Sequence, residues 1–548
     1  MSSTFGPQDQ GSPPYSGIMT TSGDILATYD EASPTRRAPR WRSSLAHAWL
    51  LAGGVGLLVL GLVGGVTYGV GALSGGGSQP EGALPGGAFA FAKVDLDPSA
   101  GQKLDAFRFL RQFPALEDRL GGDDLRKIVF EQVAEGAGWD RVDFDSEIAP
   151  WMGQRVAVAA YPGRAAGDGP AEPEVVVALA VTDVDGARAG LAKLAAAEAR
   201  DTGETGDPGR LGFVVDGDYA LLAESQQVAD RAARDAAGST LDQDADFSAD
   251  LAEAGDGVLT AWLDTAAMTK SLGAASMEMG MGMGMGMLGG APGVIDGVTG
   301  RSTYVARFDG PDVFEVTGIV REAGTAGWAS RPVRGLGELP TSSVLALGVA
   351  DGDELVTRTF AAVRDAWASM PQGAGAPSFD EMVTEAERGL GVELPEDAAA
   401  LLGDNLVGAL DGSGSNQVEV GVRVSTPEIA RAERVLDAVA KASGDDVPLV
   451  RRRVGEELVV ASTPEQAERL SGSGSLGERP GFAKALPDLD SAHLAVWVDL
   501  QGVVDALFGG WGPSDGPDDN LEPIEGLGMT VTSGDDGPAT FRVRLVTS

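Results

Sequence analysis

The chain has 548 residues, no cysteine, and 81 acidic against 41 basic side chains, a formal net charge of −40. That length holds two or three ordinary domains. The missing cysteine excludes disulfide scaffolds, thiolate metal sites, cysteine nucleophiles and a lipidated cysteine anchor. A surface this acidic repels nucleic acid and anionic headgroups, so no nucleic-acid partner is expected.

Residues 1–44 are rich in Ser, Pro, Gly, Thr and Gln, have no apolar face, and read as a disordered tail. Residues 45–73 read as one transmembrane helix: no charge falls between Ala48 and Leu73, and Trp49 and Tyr68 mark the ends. The run is too long and starts too late for a cleaved signal peptide. Gly61 and Gly65 form a GxxxG pair through which two copies could pack as a dimer; the alternative is the general abundance of glycine in this chain. Arg36, Arg37, Arg40 and Arg42 precede the apolar run, and the next basic residue is Lys93. Positive flanks stay cytoplasmic, which predicts a single-pass cell-membrane protein with its N-terminus inside and its C-terminal region outside. Residues 1–78 carry four arginines against Asp9, Asp24, Asp30 and Glu31, so the net acidity belongs to the outer region. Residues 74–85, SGGGSQPEGALP, read as a flexible linker.

The outer region repeats itself. Val142–Val156 resembles Val392–Leu406, and EVVVALAV (Glu174–Val181) resembles QVEVGVRV (Gln417–Val424). Gly217–Ala229 resembles Gly455–Ala467, Phe247–Leu251 resembles Phe482–Leu486, and LTAWLD resembles LAVWVD with Trp262 over Trp497. These landmarks keep their order, which predicts repeat 1 over 86–322, a connector over 323–339 and repeat 2 over 340–548. The expected fold class is α+β: two tandem copies of one mainly antiparallel sheet, helices on one face, preceded by the disordered tail and the transmembrane helix. Near-helical spacing of Leu104, Phe107, Leu110 and Phe113 predicts a helix burying that stripe.

Motifs for chemistry are sparse. There are two histidines, His47 and His493, and no GxSxG, HExxH or Walker A pattern, so no catalytic residue and no cofactor is assigned. Asp242, Asp244, Asp246, Asp250 and Glu253 fall at positions 1, 3, 5, 9 and 12 of a calcium loop. Phe247 stands where that loop needs glycine, which favours a solvated acidic turn before a helix that buries Phe247 and Leu251. Asp143, Asp145 and Glu147 alternate with apolar residues as on a half-exposed strand, and a structural role is favoured over acid/base chemistry. Met279, Met281, Met283, Met285 and Met287 alternate with glycine. Besides low-complexity drift in a loop, thioethers in that pattern suit an apolar contact with membrane or partner, or Cu(I).

FAKVDLDPSAGQKLDAFRFLRQFP from Phe91, APWMGQRVAVA (Ala149–Ala159) and DQDADF ending at Phe247 resemble the domain-of-unknown-function 3352 family over roughly Leu84–Ser548. The resemblance implies bacterial membrane attachment by one N-terminal helix and an extracytoplasmic domain, and it implies no activity. The expected function is a non-enzymatic, membrane-anchored binding or scaffold protein for an unknown protein or apolar ligand. A carrier or sensor of an apolar ligand and a carboxylate-based hydrolase are the alternatives.

Overall fold

The computed structural model describes residues 77–96, 99–114, 126–127, 130, 142–163, 173–201, 211–272, 300–321, 329–369, 377–413, 417–442, 449–508, 521–533 and 537–548. The tail, the apolar segment 45–73 with Gly61 and Gly65, and the five alternating methionines lie outside these residues. Among the described residues no helix is long and apolar enough to cross a membrane.

The elements follow in chain order. The first half contains β1 (Ala90–Asp95), α1 (Ala100–Leu110), β2 (Met152–Tyr161), β3 (Glu174–Val181), α2 (Val184–Asp201), β4 (Gly212–Asp216) and β5 (Tyr219–Ala223). It continues with α3 (Gln226–Ala236), α4 (Ala245–Ala254), β6 (Leu259–Asp264), α5 (Thr265–Leu272), β7 (Arg301–Phe308) and β8 (Val313–Val320). The second half contains β9 (Ser343–Ala350), α6 (Gly352–Ser369), α7 (Phe379–Leu390), α8 (Glu396–Leu402), β10 (Asn405–Ser413), β11 (Gln417–Ser425) and α9 (Ile429–Ala442). Next come β12 (Val450–Val454), β13 (Glu457–Ala461), α10 (Pro464–Leu470), α11 (Phe482–Ala485), β14 (Leu494–Val498), α12 (Leu500–Phe508), β15 (Ile524–Ser533) and β16 (Ala539–Thr547).

The expected fold of two tandem α+β units is corrected by this topology. The sixteen strands among the described residues form one antiparallel sheet, in the order β12-β13-β11-β10-β9-β14-β15-β16-β8-β7-β6-β1-β2-β3-β5-β4. Eight residue pairs join β8 to β16, from Val320↔Ala539 to Val313↔Val546, so the middle of the sheet has no break. The strand order read outward from this seam is the same on both sides. Trp262 pairs with Thr303 and Thr303 with Ile319, while Trp497 pairs with Gly528 and Gly528 with Arg544. Counting from there makes Thr317 and Arg542 counterparts, and they pair with each other. A local twofold therefore passes through that pair, as at an isologous interface between subunits.

The sheet carries cover on both faces, which corrects the expectation of helices on one face. On the sealed face Phe91, Ala159, Ala178 and Trp262 are buried beneath Leu84, Leu241 and Phe247; Ala346, Ala409 and Trp497 are buried beneath Leu336, Leu339, Leu476 and Phe482. Residues 77–85, expected as a flexible linker, contribute here. Leu84 is fully buried, Pro85 bridges to Thr240, and Ser78 joins Asp218 through its Oγ at 2.8 Å. On the other face α2 packs Ala187, Leu191 and Leu194 against β4 and β5, and α9 packs Ala432 against Leu458 and Val460. Helix α1 covers Phe308 and Phe314 through Ala106, Phe109, Leu110 and Phe113. The buried stripe is thus 106/109/110/113, whereas Leu104 and Phe107 of the expected stripe are exposed. Phe308 and Phe314 on the sheet decide the rotation of the helix, with ring centroids 5.5 and 6.4 Å from that of Phe109.

Candidate functional site

The acidic stretch of residues 242–253 is held by protein groups. Asp244 caps α4, accepting hydrogen bonds from the backbone N–H groups of Asp246 at 3.0 Å and Phe247 at 3.1 Å. Asp242 accepts from the Thr240 hydroxyl at 2.5 Å, and Asp246 lies 3.4 Å from the Arg301 guanidinium. Asp250 is buried and accepts from Trp262 Nε1 at 3.0 Å, Arg301 Nε at 2.8 Å and Arg321 Nε at 2.6 Å; Glu253 pairs with Arg321. Burial pushes the Asp250 carboxyl up, but those three hydrogen bonds outweigh it and hold its pKa below the usual carboxylate value. The five carboxylates do not converge as a calcium loop would require, and no group of His, Asp or Glu among the described residues could hold a metal ion.

Asp143, Asp145 and Glu147 lie around a helical turn, Phe144–Ile148, and not on the half-exposed strand expected. Asp143 accepts from the Ser146 N–H and hydroxyl, which lowers its pKa, while Asp145 meets Lys127 at 3.1 Å and Glu147 meets Lys193 at 2.9 Å. In the second half Glu393 and Asp397 are both bound by Arg431, at 3.0 and 2.5 Å. His493 is buried, its Nδ1 3.0 Å from the Ser533 hydroxyl.

One cleft of about 360 Å³ opens at the edge of the first half, between the Pro85–Gly87 segment, β2, β3 and α3. Arg231 and Glu174 form an ion pair at 2.6 Å in its wall, and the Tyr161 hydroxyl donates to the Pro85 carbonyl at 2.9 Å. Burial raises the Tyr161 pKa, so this hydroxyl stays protonated. The register of the sheet makes Arg469, Glu419 and Asp411 the counterparts of Arg231, Glu174 and Tyr161. There Arg469 bonds to Glu419 and Gln466 and lies 3.4 Å from Asp411, and Leu470 packs so closely over Gly421 that a Cβ would come within 2.3 Å of it. The first half has Val176 and Ala232 at those two positions, and both line the cleft.

The second face of the sheet is covered less completely than the first. One transverse row runs Val94, Leu259, Ala306, Val316, Val543, Met529, Val496, Leu347 across eight strands. The first three are buried, while the five from Val316 to Leu347 are only half-buried, as are neighbouring Tyr304, Phe541 and Leu494. Gly318 makes room between these strands: a Cβ there would come within 2.1 Å of the Phe541 ring. Sequence reasoning missed this face and the Arg231–Glu174 cleft. A signal for the face was present in runs such as EVVVALAV, whose apolar residues occupy both faces of a strand.

Residues 50–253 match the sequence family described as Protein of unknown function (DUF3352). The chain resembles that family over this stretch. The match begins within the apolar segment and ends inside α4, so it covers β1 to β5 and all three segments quoted for the resemblance, and leaves β6 to β16 outside, short of the expected extent to Ser548. No curated protein and no solved structure matches the chain.

Proposed function

We propose that the protein is a membrane-anchored, extracytoplasmic binding protein whose ligand surface is the half-buried apolar face of its sheet. The observation that carries this reading is the contrast between the two faces. One face is sealed under Leu84, Leu241, Phe247, Leu336 and Phe482; the other leaves Val316, Val543, Met529, Val496 and Leu347 half-buried in a continuous row. Apolar area left in contact with water stabilises whatever covers it by roughly 25 cal/mol per Å². The uncharged segment 45–73 and the arginines before it support attachment to a membrane with the acidic region outside. The arginine pairing of Asp250, Glu174, Glu419 and Asp397 leaves these carboxylates poorly placed for acid/base work and supports a role in binding.

The same row favours an apolar ligand, carried or sensed, over a protein scaffold, because its side chains are aliphatic and no charged group interrupts it. A long-chain fatty acid bearing a diazirine tests this on the full-length protein. Photolysis is expected to label peptides from β14 to β16 above peptides from α10 and α11, and the double variant Val543→Asp, Met529→Glu is expected to lose that preference. Uniform labelling of both faces would overturn the proposal.

A further inference from the structure

Helix α1 has two opposite stripes. Ala106, Phe109, Leu110 and Phe113 face the sheet, and Leu104, Phe107, Arg108 and Arg111 form the other stripe at spacings of three and four residues. That second stripe is exposed: Leu104 retains 48% and Phe107 39% of its accessible surface. The Arg111 guanidinium lies over the Phe107 ring, 5.2 Å from its centroid. Two exposed apolar side chains flanked by two arginines are unusual on a chain with a formal net charge of −40.

The position of this stripe gives it a partner. Gly77 lies against Arg155, where a Cβ would come within 2.9 Å of the guanidinium, and Arg155 is bound to Asp95 at 3.0 Å. Asp95 is the last residue of β1, and α1 begins at Ala100. Gly77 and the start of α1 therefore lie at the same end of the same strands. Only residues 74–77 separate the end of the apolar segment from this point, a reach of at most about 14 Å when fully extended. We infer that the exposed stripe of α1 rests on the phospholipid surface, with Leu104 and Phe107 in the headgroup layer and Arg108 and Arg111 on lipid phosphates. This contact rests on the proposed membrane attachment. It orients the sheet, with the strand ends that carry Asp95 toward the bilayer and the apolar row beside α1 close to the lipid.

The missing cysteine makes the test direct. Leu104→Cys introduces a unique thiol for an environment-sensitive fluorophore, and Leu390→Cys, at a site of similar exposure (45%) on α7, is the control. Each labelled full-length protein is reconstituted into phosphatidylcholine vesicles containing brominated lipid. Quenching at position 104 is expected to exceed that at 390 several-fold, and to fall to the control level when Arg108→Glu and Arg111→Glu are added. Equal quenching at 104 and 390, in protein that floats with the vesicles, would overturn the α1 contact and leave the anchor intact. Protein that does not float with the vesicles would instead overturn the membrane attachment on which the contact depends.

Discussion

Of the five carboxylates between residues 242 and 253, Asp250 alone is buried, and it satisfies one indole and two guanidinium groups at once. In the other half Ala485 takes its place beneath Trp497, whose Nε1 has no hydrogen-bond partner. Asp250→Ala takes the acceptor from Trp262 Nε1 and the buried anion from Arg301 and Arg321, which keep only the exposed Asp246 and Glu253, and is expected to destabilise the protein by about 3 kcal/mol in denaturant unfolding. The effect is also pH-dependent. The folded pKa lies below the unfolded one, so the contribution is complete above a pH of about 4 and is lost as pH falls through the lower folded value. The stability gap between the parent and Asp250→Ala is therefore expected to narrow in acid; a gap that stays constant from pH 7 to the acid limit of folding would contradict the assignment. The sequence placed Asp250 in an acidic run with calcium-loop spacing and could not separate it from its neighbours. Its partners Arg301 and Arg321 come from later in the chain, at the start of β7 and just after β8.

At the scale of elements, the two outermost strands are protected by different means. Strand β12 is VRRRV, and Arg451 and Arg453 reach Asp437 and Glu433 on α9. Strand β4 is GFVVD, and the side chain of Gln226 takes the place of a neighbouring strand there. Its Oε1 accepts from the Phe213 N–H at 3.2 Å, and its Nε2 donates to the Phe213 carbonyl at 3.0 Å. Unpaired apolar edges recruit other strands. Gln226→Leu is expected to give concentration-dependent association visible by light scattering, with little loss of stability in dilute solution. A monodisperse variant at high concentration would show that the edge is closed by something else. Element positions were legible from local pattern: EVVVALAV, QVEVGVRV and the two tryptophan strands form β3, β11, β6 and β14. The buried stripe of α1 was not, because Leu104/Phe107 and Ala106/Phe109 satisfy helical spacing equally well. Contact with Phe308 and Phe314, some 200 residues away, chose between them.

At the scale of the molecule, the seam decides the behaviour. Glu315 on β8 is buried among Arg307, Arg544 and Arg542, at 3.1, 2.8 and 3.3 Å, and burial beside Arg307 lowers the Arg544 pKa. The sheet is hydrogen-bonded straight through this cluster, so a single cooperative transition is expected in calorimetry. Glu315→Ala leaves three arginines without their shared anion, and is expected to lower the transition temperature and split the transition in two. Retention of one unshifted transition would show that the backbone ladder alone couples the halves. By itself the sequence determined the acidity, the missing cysteine chemistry, the apolar segment 45–73 and the recurrence of matched segments, because these are properties of composition and local spacing. Only the tertiary structure decided that the strands join into one sheet, that both faces carry cover, that residues 77–85 pack instead of acting as a linker, and that Leu104 and Phe107 face outward. Those outcomes depend on which strand edge meets which, and on pairings between residues as distant as Glu315 and Arg544, which no local pattern encodes.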